Sequence, residues 1–478
     1  MSTTSTSKAR QRIEALLDEN SFVEIGALVS ARATDFNLKQ LDTPSDGVIT
    51  GYGVINDNLV YVYSQDASVM NGTIGEMHAK KIANLYDMAL KMGAPVIGLI
   101  DSAGLRLQEA TDALNAFGEI YMKQSLASGV IPQITAIFGT CGGGLAMIPT
   151  LTDFTFMEEK DAKLFVNAPN TLDGNSTAKC DTASAKFQSE EAGIVDFVGA
   201  EAELFGQIRD LVSYLPANNE EEADYAACDD DLNRVCAQAA AGAKDAVIAL
   251  SDIADDGVFV EVKKAYAKDM VTGFLKLNGM TVGAVANRSE VYGEDGKVAE
   301  KFDEVLSVQG CNKAAEFVQF CDAFSIPVLT LTNVKGFKAT TCAEKGMAKA
   351  VARLTYAFAN ATVPKVNLIT QKAFGSAYVA MNSKALGADV TFAWESAEIG
   401  TMDAKLASKI MFDGEGADVI DEKAKEYAAL QNNALSAAKR GYVDYIIAPA
   451  DSRKYIIGAF EMLYSKREER PAKKHGTV

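Results

Sequence analysis

Two glycine turns are the strongest chemical candidates in this sequence. The first, residues 140–144, follows a strand-like apolar run and leads into an apolar stretch that predicts a helix from about Leu145. The second, residues 374–377, lies between the strand-like run 366–369 and a predicted helix over residues 378–386. A turn that starts a helix presents backbone N–H groups, and glycine lets such a backbone approach a ligand closely. Paired N–H donors of this kind can hold an oxyanion in a site shielded from water.

The two turns belong to an internal repeat. Pro95 recurs as Pro327 and Gly143 recurs as Gly375, both at a spacing of 232 residues. Upstream the spacing is 222 residues, which places the ten extra residues in a charged insertion around residues 293–297. A period this long predicts two fused domains of one fold rather than a solenoid. Strands alternating with helices predict α/β architecture, and periodicity leaves open whether the sheets are doubly wound or form a ββα spiral.

Length and composition predict a globular protein of two or three domains. Of the 478 residues, 48% are hydrophobic and 23% are charged. An acidic stretch at residues 218–231 predicts a linker, which places the join between about 216 and 245 and the domains at 1–235 and 236–478. The net charge of −18 argues against binding to nucleic acid or to anionic membrane surfaces.

Cysteine usage and hydropathy bear on location. The seven cysteines include no C-x-x-C pair, which argues against a disulfide framework and against a zinc cluster. We therefore expect no metal site and a reducing, cytoplasmic environment. The sequence has no run of about 18 apolar residues, so any attachment to a membrane is expected to come from another subunit.

Acid–base catalysis has few candidate side chains here. His78 and His475 are the only histidines, and no G-x-S-x-G elbow accompanies them. The spacing around His78 predicts a structural helix residue, and His475 lies in a basic tail typical of solvated surface. Cys141 is more typical of a small buried thiol than of a nucleophile. Asp101 and Glu109 could pair as acid and base, but Asp101 at a strand end is more typical of a turn cap.

Longer segments add a family resemblance. They are residues 75–78, 93–109, 128–133 and 152–157 in the first half, and 320–324, 361–366 and 397–402 in the second. Together they resemble the carboxyltransferase subunits of biotin-dependent acyl-CoA carboxylases, the β-subunit type of propionyl-CoA carboxylase. The resemblance extends from about residue 10 to the tail at 474–476. It implies two tandem crotonase-like domains, of the ClpP/crotonase ββα spiral type, related by internal duplication.

The resemblance also implies an enzyme and its site. The enzyme moves a carboxyl group between carboxybiotin and the α-carbon of a short-chain acyl-CoA such as propionyl-CoA or acetyl-CoA, and passes through an acyl enolate and a biotin ureido oxyanion. By resemblance, Gly143 and Gly144 serve the acyl thioester, and Ser376 and Ala377, following Gly375, serve biotin. Val379 lies where members of the family tune acyl-chain size. Arg106 and Lys372, as basic residues near the pocket, could meet the CoA phosphates. Substrate contacts are expected from residues around the turns: Ser102, Ala103, Gly104, Arg106, Cys141, Gly142, Phe374 and Val379.

Partner subunits follow from the same resemblance. No biotin-acceptor Ala-Met-Lys-Met setting occurs in the sequence, so biotin is expected to arrive on a biotin carboxyl carrier protein. Other expected partners are a biotin carboxylase or a membrane decarboxylase subunit. The family assembles head-to-tail dimers into a larger oligomer, typically a hexamer arranged as a dimer of trimers or a trimer of dimers. Acyl-CoA and biotin meet across a subunit interface there.

Three alternatives remain open from sequence. The chain could be the α-subunit of a sodium-pumping methylmalonyl-CoA or glutaconyl-CoA decarboxylase, a biotin-independent crotonase-type hydratase or hydrolase, or a non-catalytic scaffold. Two loops depart from the family pattern: Ala103 and Leu105 replace residues of an Asp-Ser-Gly-Gly-Ala-Arg sequence, and residues 335–340 replace a Pro-Gly-Phe-Leu-Pro-Gly loop. Residues 168–190 match poorly. These departures bear on substrate identity more than on reaction type.

Overall fold

A computed structural model describes residues 7–32, 42–221, 226–293 and 295–473 of the chain. His475 and the tail at 474–476 lie outside the described residues. The chain divides into two compact units, Met1–Glu222 and Ala223–Val478. This division falls inside the predicted linker, but it comes before the predicted boundary at residues 235 and 236.

Residues that precede the predicted boundary pack with the second unit. The Arg234 guanidinium donates to the carbonyl oxygens of Asp252 and Ala254, at 2.9 Å in each case. Cys236 is buried in the same hydrophobic core as the helix that carries those residues. Long-range contacts therefore attach this acidic segment to the second unit, and composition alone does not reveal them.

The first unit is built on one mixed sheet. In chain order its elements are α1 Lys8–Leu16, β1 Val23–Ile25, β2 Val48–Ile55, β3 Asn58–Gln65, α2 Glu76–Met92, β4 Val96–Ile100, α3 Ala110–Ala127, β5 Gln133–Ile137, β6 Thr140–Gly142, α4 Met147–Thr150, β7 Phe154–Glu158, β8 Lys163–Phe165, α5 Ala185–Glu190, β9 Phe197–Gly199 and α6 Glu201–Val212. The sheet order is β1-β2-β3-β4-β5-β7-β9. The first two pairings are antiparallel and the rest are parallel, while β6 and β8 form a separate parallel pair.

Helix α2 illustrates how the sequence sets these elements. It spans Glu76–Met92, with acidic Glu76 in its first turn and basic Lys91 in its last, as the helix dipole favours. Gly93 ends the helix at φ 62°, a left-handed conformation that glycine adopts without strain. One face is buried on the sheet, and each large apolar side chain there contributes about 1.5–3 kcal/mol. Buried residues of this face include Ile82, Leu85, Tyr86 and Ala89.

The second unit repeats the same plan. Its elements are α7 Ala246–Ile253, β10 Phe259–Val262, β11 Met270–Leu277, β12 Met280–Asn287, β13 Glu290–Tyr292, β14 Val298–Lys301, α8 Val308–Ala323, β15 Val328–Val334, α9 Thr341–Glu344, α10 Met347–Asn360, β16 Lys365–Phe374, α11 Gly375–Ala380, β17 Val390–Trp394, β18 Glu398–Gly400, α12 Ala404–Met411, α13 Ala417–Gln431, α14 Ala434–Lys439, β19 Tyr445–Ile447 and α15 Ser452–Leu463. The sheet order is β10-β11-β12-β15-β16-β17-β19, with β18 paired to β16. The succession of antiparallel and parallel pairings is the one found in the first unit.

Local geometry supports the predicted repeat. A Cβ added to Gly51 would lie 2.2 Å from the Val23 carbonyl oxygen, and a Cβ added to Gly273 would lie 2.2 Å from the Val260 carbonyl oxygen. Both positions therefore need glycine for the same reason, the close approach of a neighbouring strand. The ten extra residues of the second unit lie in the hairpin formed by β13 and β14, where a charged loop insertion was expected.

Each unit contains its own hydrophobic core. In the first unit, α2 and α3 pack on the sheet, and the buried side chains include Tyr63, Ile82, Ile120 and Ile137. In the second unit, two clusters lie along β16 and β17, one with Leu368, Trp394 and Ile456 and the other with Ile369, Ala393 and Val443. The cores have no member in common among the described residues.

Candidate functional site

The first turn carries the predicted oxyanion donors at the start of a helical segment. Gly143 has φ 63°, and a 3-10 helix over residues 143–146 leads into α4. The first N–H groups of a helix have no intrahelical partner, so the Gly143 and Gly144 amides are positioned to donate outward. A Cβ added to Gly143 would meet no atom within 4 Å, so this side of the turn faces open space.

Two aromatic side chains fix the first turn. The Tyr121 hydroxyl donates to the Gly144 carbonyl oxygen at 2.6 Å. The Phe165 ring lies against Gly142, where an added Cβ would be 2.7 Å from two ring carbons. Sequence reasoning missed both aromatics because they lie on α3 and β8, far from the turn in sequence. Glycine is thus required at 142 for packing and at 143 for backbone conformation.

The loop after β4 lies beside the first turn. The Ser102 amide donates to the Thr140 carbonyl oxygen at 3.2 Å, and the Ser102 hydroxyl accepts from the Gly104 amide at 3.0 Å. A Cβ added to Gly104 would lie 3.6 Å from the Gly142 carbonyl oxygen. Ser102 is buried and Ala103 is exposed. The structure therefore brings the predicted substrate loop and the first turn together.

Arg106 requires a correction. Its guanidinium is 0% exposed and donates to Asp46 Oδ1 at 2.7 Å, to Glu109 Oε1 at 2.8 Å and to the Thr73 carbonyl oxygen at 2.7 Å. The prediction that Arg106 meets CoA phosphates is wrong, because this buried cation already has two carboxylate partners and no access to solvent. A buried ion pair of this kind fixes the loop that follows β4.

Two other predicted contact residues are corrected in the same way. The Cys141 thiol is fully buried and lies 3.5 Å from the Leu145 carbonyl oxygen, and burial raises its pKa. The Phe374 side chain is 3% exposed. Neither side chain can reach a ligand, so only the backbone of these two residues remains available beside the turns.

His78 is a structural residue. Its ring is fully buried, with Nδ1 3.0 Å from the Asp46 carbonyl oxygen and Nε2 3.3 Å from Gln65 Nε2. Burial first, and the nearby Arg106 charge second, lower the pKa of His78 to about 3. A neutral imidazole held this way is unsuited to serve as a general base on an external ligand.

The second turn repeats the first one's conformation. Gly375 has φ 62° and starts α11, and a Cβ added to it would lie 3.2 Å from the Thr401 carbonyl oxygen. The amides of Ser376 and Ala377 therefore lie in the first turn of a helix, where they lack intrahelical partners. Ser376 is exposed, Ala377 is 1% exposed, and Val379 is 40% exposed. Exposure keeps Val379 available as the predicted contact to an acyl chain.

The loops beside the two turns are equivalent. Ile74 bridges Leu105 in the first unit, and Leu306 bridges Phe337 in the second. The Ile74 amide donates to the Gly104 carbonyl oxygen at 2.8 Å, and the Leu306 amide donates to its counterpart, the Gly336 carbonyl oxygen, at 2.9 Å. The two loops that depart from the family pattern therefore occupy the same place in the repeat.

The described residues bear on metal binding and on membrane spans. Residues 7–32, 42–221, 226–293 and 295–473 contain no group of three or more His, Cys, Asp or Glu side chains placed to hold a metal ion. Within the same part of the chain, no helix combines the length and the apolar character needed to cross a membrane.

Comparison with known proteins adds independent findings. The carboxyl transferase domain family matches residues 5–478. The chain is 41% identical over 488 residues to the methylmalonyl-CoA decarboxylase subunit alpha of Propionigenium modestum, covering 98% of this chain and 92% of that protein. It is 39% identical over 484 residues to the propionyl-CoA carboxylase beta chain of Roseobacter denitrificans, covering 98% and 93%. A transcarboxylase 12S crystal structure, described as a hexamer assembly with methylmalonyl-coenzyme A bound, superposes with a TM-score of 0.92 at 38% identity, covering 98% and 92%.

Proposed function

This chain belongs to the carboxyl transferase domain family, and from that premise we propose that it moves a carboxyl group between biotin and the α-carbon of a short-chain acyl-CoA. It is a carboxyltransferase of the propionyl-CoA carboxylase β and methylmalonyl-CoA decarboxylase α type, with a crotonase-like α/β fold. The observation that carries the proposal is the pair of equivalent glycine turns within a match that spans both halves of the chain.

The first turn is proposed to bind the acyl thioester. Loss of the carboxyl group from the α-carbon, or loss of the α-proton that a carboxyl group replaces, puts negative charge on the thioester oxygen. The Gly143 and Gly144 amides would donate to that oxygen, and they cost no reorganisation because Tyr121 already holds the turn in place. Ser102, Ala103 and Gly104 would line the same side of the thioester.

The second turn is proposed to bind biotin. Biotin, when bound, would carry the carboxyl group on a ureido nitrogen, and that nitrogen would accept the α-proton once the carboxyl group has left it. The Ser376 and Ala377 amides would donate to the ureido oxygen, since Gly375 adopts φ 62° at the start of α11 and Ser376 is exposed. The proton transfer requires no histidine, which agrees with the buried, neutral His78.

Partners and assembly are part of the proposal. Biotin would arrive on a biotin carboxyl carrier protein, with a biotin carboxylase or a membrane decarboxylase subunit completing the system in the cytoplasm. The transcarboxylase 12S structure is described as a hexamer, and we propose a hexamer for this chain too. The partner sets the direction, because the same two oxyanion sites serve carboxylation and decarboxylation. The similarity to a decarboxylase alpha subunit keeps decarboxylation as the second candidate.

Free biotin and a panel of malonyl-, methylmalonyl- and glutaconyl-CoA test the proposal. Purified protein is expected to decarboxylate at least one of these thioesters, and to do so only when biotin is present. Liquid chromatography of the acyl-CoA products measures the reaction. Equal turnover without biotin would contradict the proposal and would favour a hydratase or hydrolase of the crotonase type.

Tyr121→Phe tests the support of the first turn. The change removes the hydroxyl that donates to the Gly144 carbonyl oxygen, and we expect kcat/KM to fall about five-fold, the usual worth of one neutral hydrogen bond. Steady-state kinetics of biotin-dependent decarboxylation measure it. Tyr52→Phe is the matched control, since Tyr52 lies on β2 and packs against Tyr61 at 6.0 Å between ring centroids. An equal loss in both variants would mean that Tyr121 does not act through the turn.

A further inference from the structure

The two turns differ in the charge that surrounds them. Three residues before the turn glycine, the first unit has Thr140 and the second has Lys372. One residue before the equivalent loop glycine, the first unit has Ala103 and the second has Lys335. The backbone amide of Ala103 donates to the Asn71 carbonyl oxygen, whereas that of Lys335 donates to the Glu304 carbonyl oxygen at 2.8 Å. At these two positions, neutral residues of the first unit are thus replaced by lysines in the second.

The three charged side chains form one cluster. Lys372 Nζ lies 2.8 Å from Glu304 Oε2, and Lys335 Nζ lies 3.8 Å from the same oxygen. The Lys372 ammonium contacts Glu304 rather than Glu398, its neighbour in the register of β16 and β18. Two ammonium groups therefore share one carboxylate, which leaves the cluster with an excess positive charge. Glu304 has 17% of its side chain exposed, while Lys372 has 36% and Lys335 has 47%.

The register of the sheet places this cluster beside the second turn. Val334 pairs with Ala373, so Lys335 lies next to Phe374, the residue before Gly375. Glu304 lies in the preceding loop and contacts both lysines. Its carboxylate therefore orients their ammonium groups, and the backbone of the second turn takes no part in this. They retain donor capacity, since each ammonium has three N–H groups and one carboxylate oxygen cannot accept all of them.

We propose that Lys335 and Lys372, held by Glu304, bind the carboxylate that is transferred at the second turn. This inference rests on the proposed function of that turn. A carboxylate is the chemical class that an excess of ammonium donors recognises, and its charge must be compensated while it waits for transfer. The carboxylate can be the one carried by biotin or the free one of a carboxylated acyl-CoA. Because the cluster lies at the turn assigned to biotin, we expect the carboxylate carried by biotin.

Binding of malonate, a free dicarboxylate, tests the shared chemistry apart from turnover. Saturation-transfer NMR on wild-type protein is expected to detect malonate, with a Kd that rises with ionic strength as a surface charge interaction requires. In the double variant Lys335→Met with Lys372→Met we expect the affinity to fall at least about ten-fold, as for the loss of a charge-assisted hydrogen bond. Lys338→Met is the matched control, since Lys338 lies in the same loop outside the cluster and should leave the Kd unchanged. Equal affinity in the wild type and the double variant would overturn the inference.

Two kinetic and binding measurements separate the sources of the carboxylate. Malonyl-CoA and acetyl-CoA differ by one free carboxylate, so their Kd ratio, measured by calorimetry, changes in the double variant only if the lysines hold the acyl carboxylate. If they hold the carboxylate carried by biotin, the ratio stays constant and biotin-dependent decarboxylation slows about ten-fold. The double variant Lys335→Arg with Lys372→Arg should show the wild-type Kd ratio and the wild-type rate of biotin-dependent decarboxylation. Wild-type protein without biotin-dependent turnover would overturn the proposed function together with this inference, whereas active wild type with an equally active double variant overturns the inference alone.

Discussion

Gly143→Val is expected to reduce biotin-dependent carboxyl transfer by at least about 100-fold, the cost of losing one oxyanion donor. Gly143 has φ 63°, and a β-branched side chain is strongly disfavoured in that conformation. The added side chain would meet open space, so the expected cause is rotation of the turn rather than a clash. Steady-state decarboxylation of malonyl-CoA with free biotin measures the loss.

Gly118→Ala serves as the control for that substitution. Gly118 lies within α3, where an added Cβ meets nothing within 4 Å, so alanine should keep full activity and slightly raise the free energy of unfolding. Size-exclusion chromatography checks that the Gly143→Val protein keeps the wild-type oligomeric state. Full activity in folded Gly143→Val protein would refute the role assigned to the first turn.

Ala377→Pro is expected to lower biotin-dependent transfer about 100- to 1000-fold, because proline deletes one of the two N–H donors of the second turn. Proline at 377 also disfavours the helical conformation of Ser376. Since the acyl thioester is assigned to the other unit, the Kd for acetyl-CoA should remain that of the wild type. Kinetics with varied free biotin, together with calorimetry of acetyl-CoA, measure the two effects separately.

Ala404→Pro is the matched substitution. Ala404 is the first residue of α12, a position that accepts proline because its N–H has no intrahelical partner. This variant should fold and turn over like the wild type. If Ala377→Pro transferred carboxyl groups to biotin at the wild-type rate, the second turn would not be the biotin site. A parallel loss of acetyl-CoA binding would indicate general damage instead.

The repeat is the part of the fold that the sequence predicts best. The spacing of 222 residues pairs Gly51 with Gly273 and Asn56 with Asn278, and in the structure these asparagines adopt nearly equal φ values of 50° and 51°. The reason is local, because tight hairpin turns and close strand contacts permit few residue types. The bounds of α2 were predictable on the same ground, since its charges and its terminal glycine lie within the helix ends themselves.

Helix bounds at the second turn were not predictable in this way. A helix over residues 378–386 was expected, but α11 spans Gly375–Ala380, and Asn382 has φ 50° just beyond it. The Asn382 amide group donates to the Thr330 hydroxyl at 3.1 Å, and these two residues are 52 positions apart in the sequence. This tertiary contact ends the helix earlier than the apolar pattern of the sequence predicts. No residue near the helix end indicates it in the sequence.

At the first site, too, the features set by local sequence were predictable and the side-chain roles set by distant contacts were not. The turn glycines and the loop after β4 follow from local patterns, and the structure places them together. Arg106 was assigned to a ligand because a basic residue beside a substrate loop suggests phosphate binding. Its carboxylate partner Asp46 lies 60 residues away in sequence, so only the folded chain reveals the ion pair. Tyr121 was missed for the opposite reason, since a tyrosine within a helix gives no sign of the carbonyl it reaches.

Each half of the chain builds its own hydrophobic core, which bears on how substitutions combine. Because the side chains buried around Ile82 and those buried around Leu368 belong to different clusters, we expect substitutions in the two clusters to change the free energy of unfolding additively. Substitutions that refill a cavity opened in one core are therefore expected to arise within the same half of the sequence.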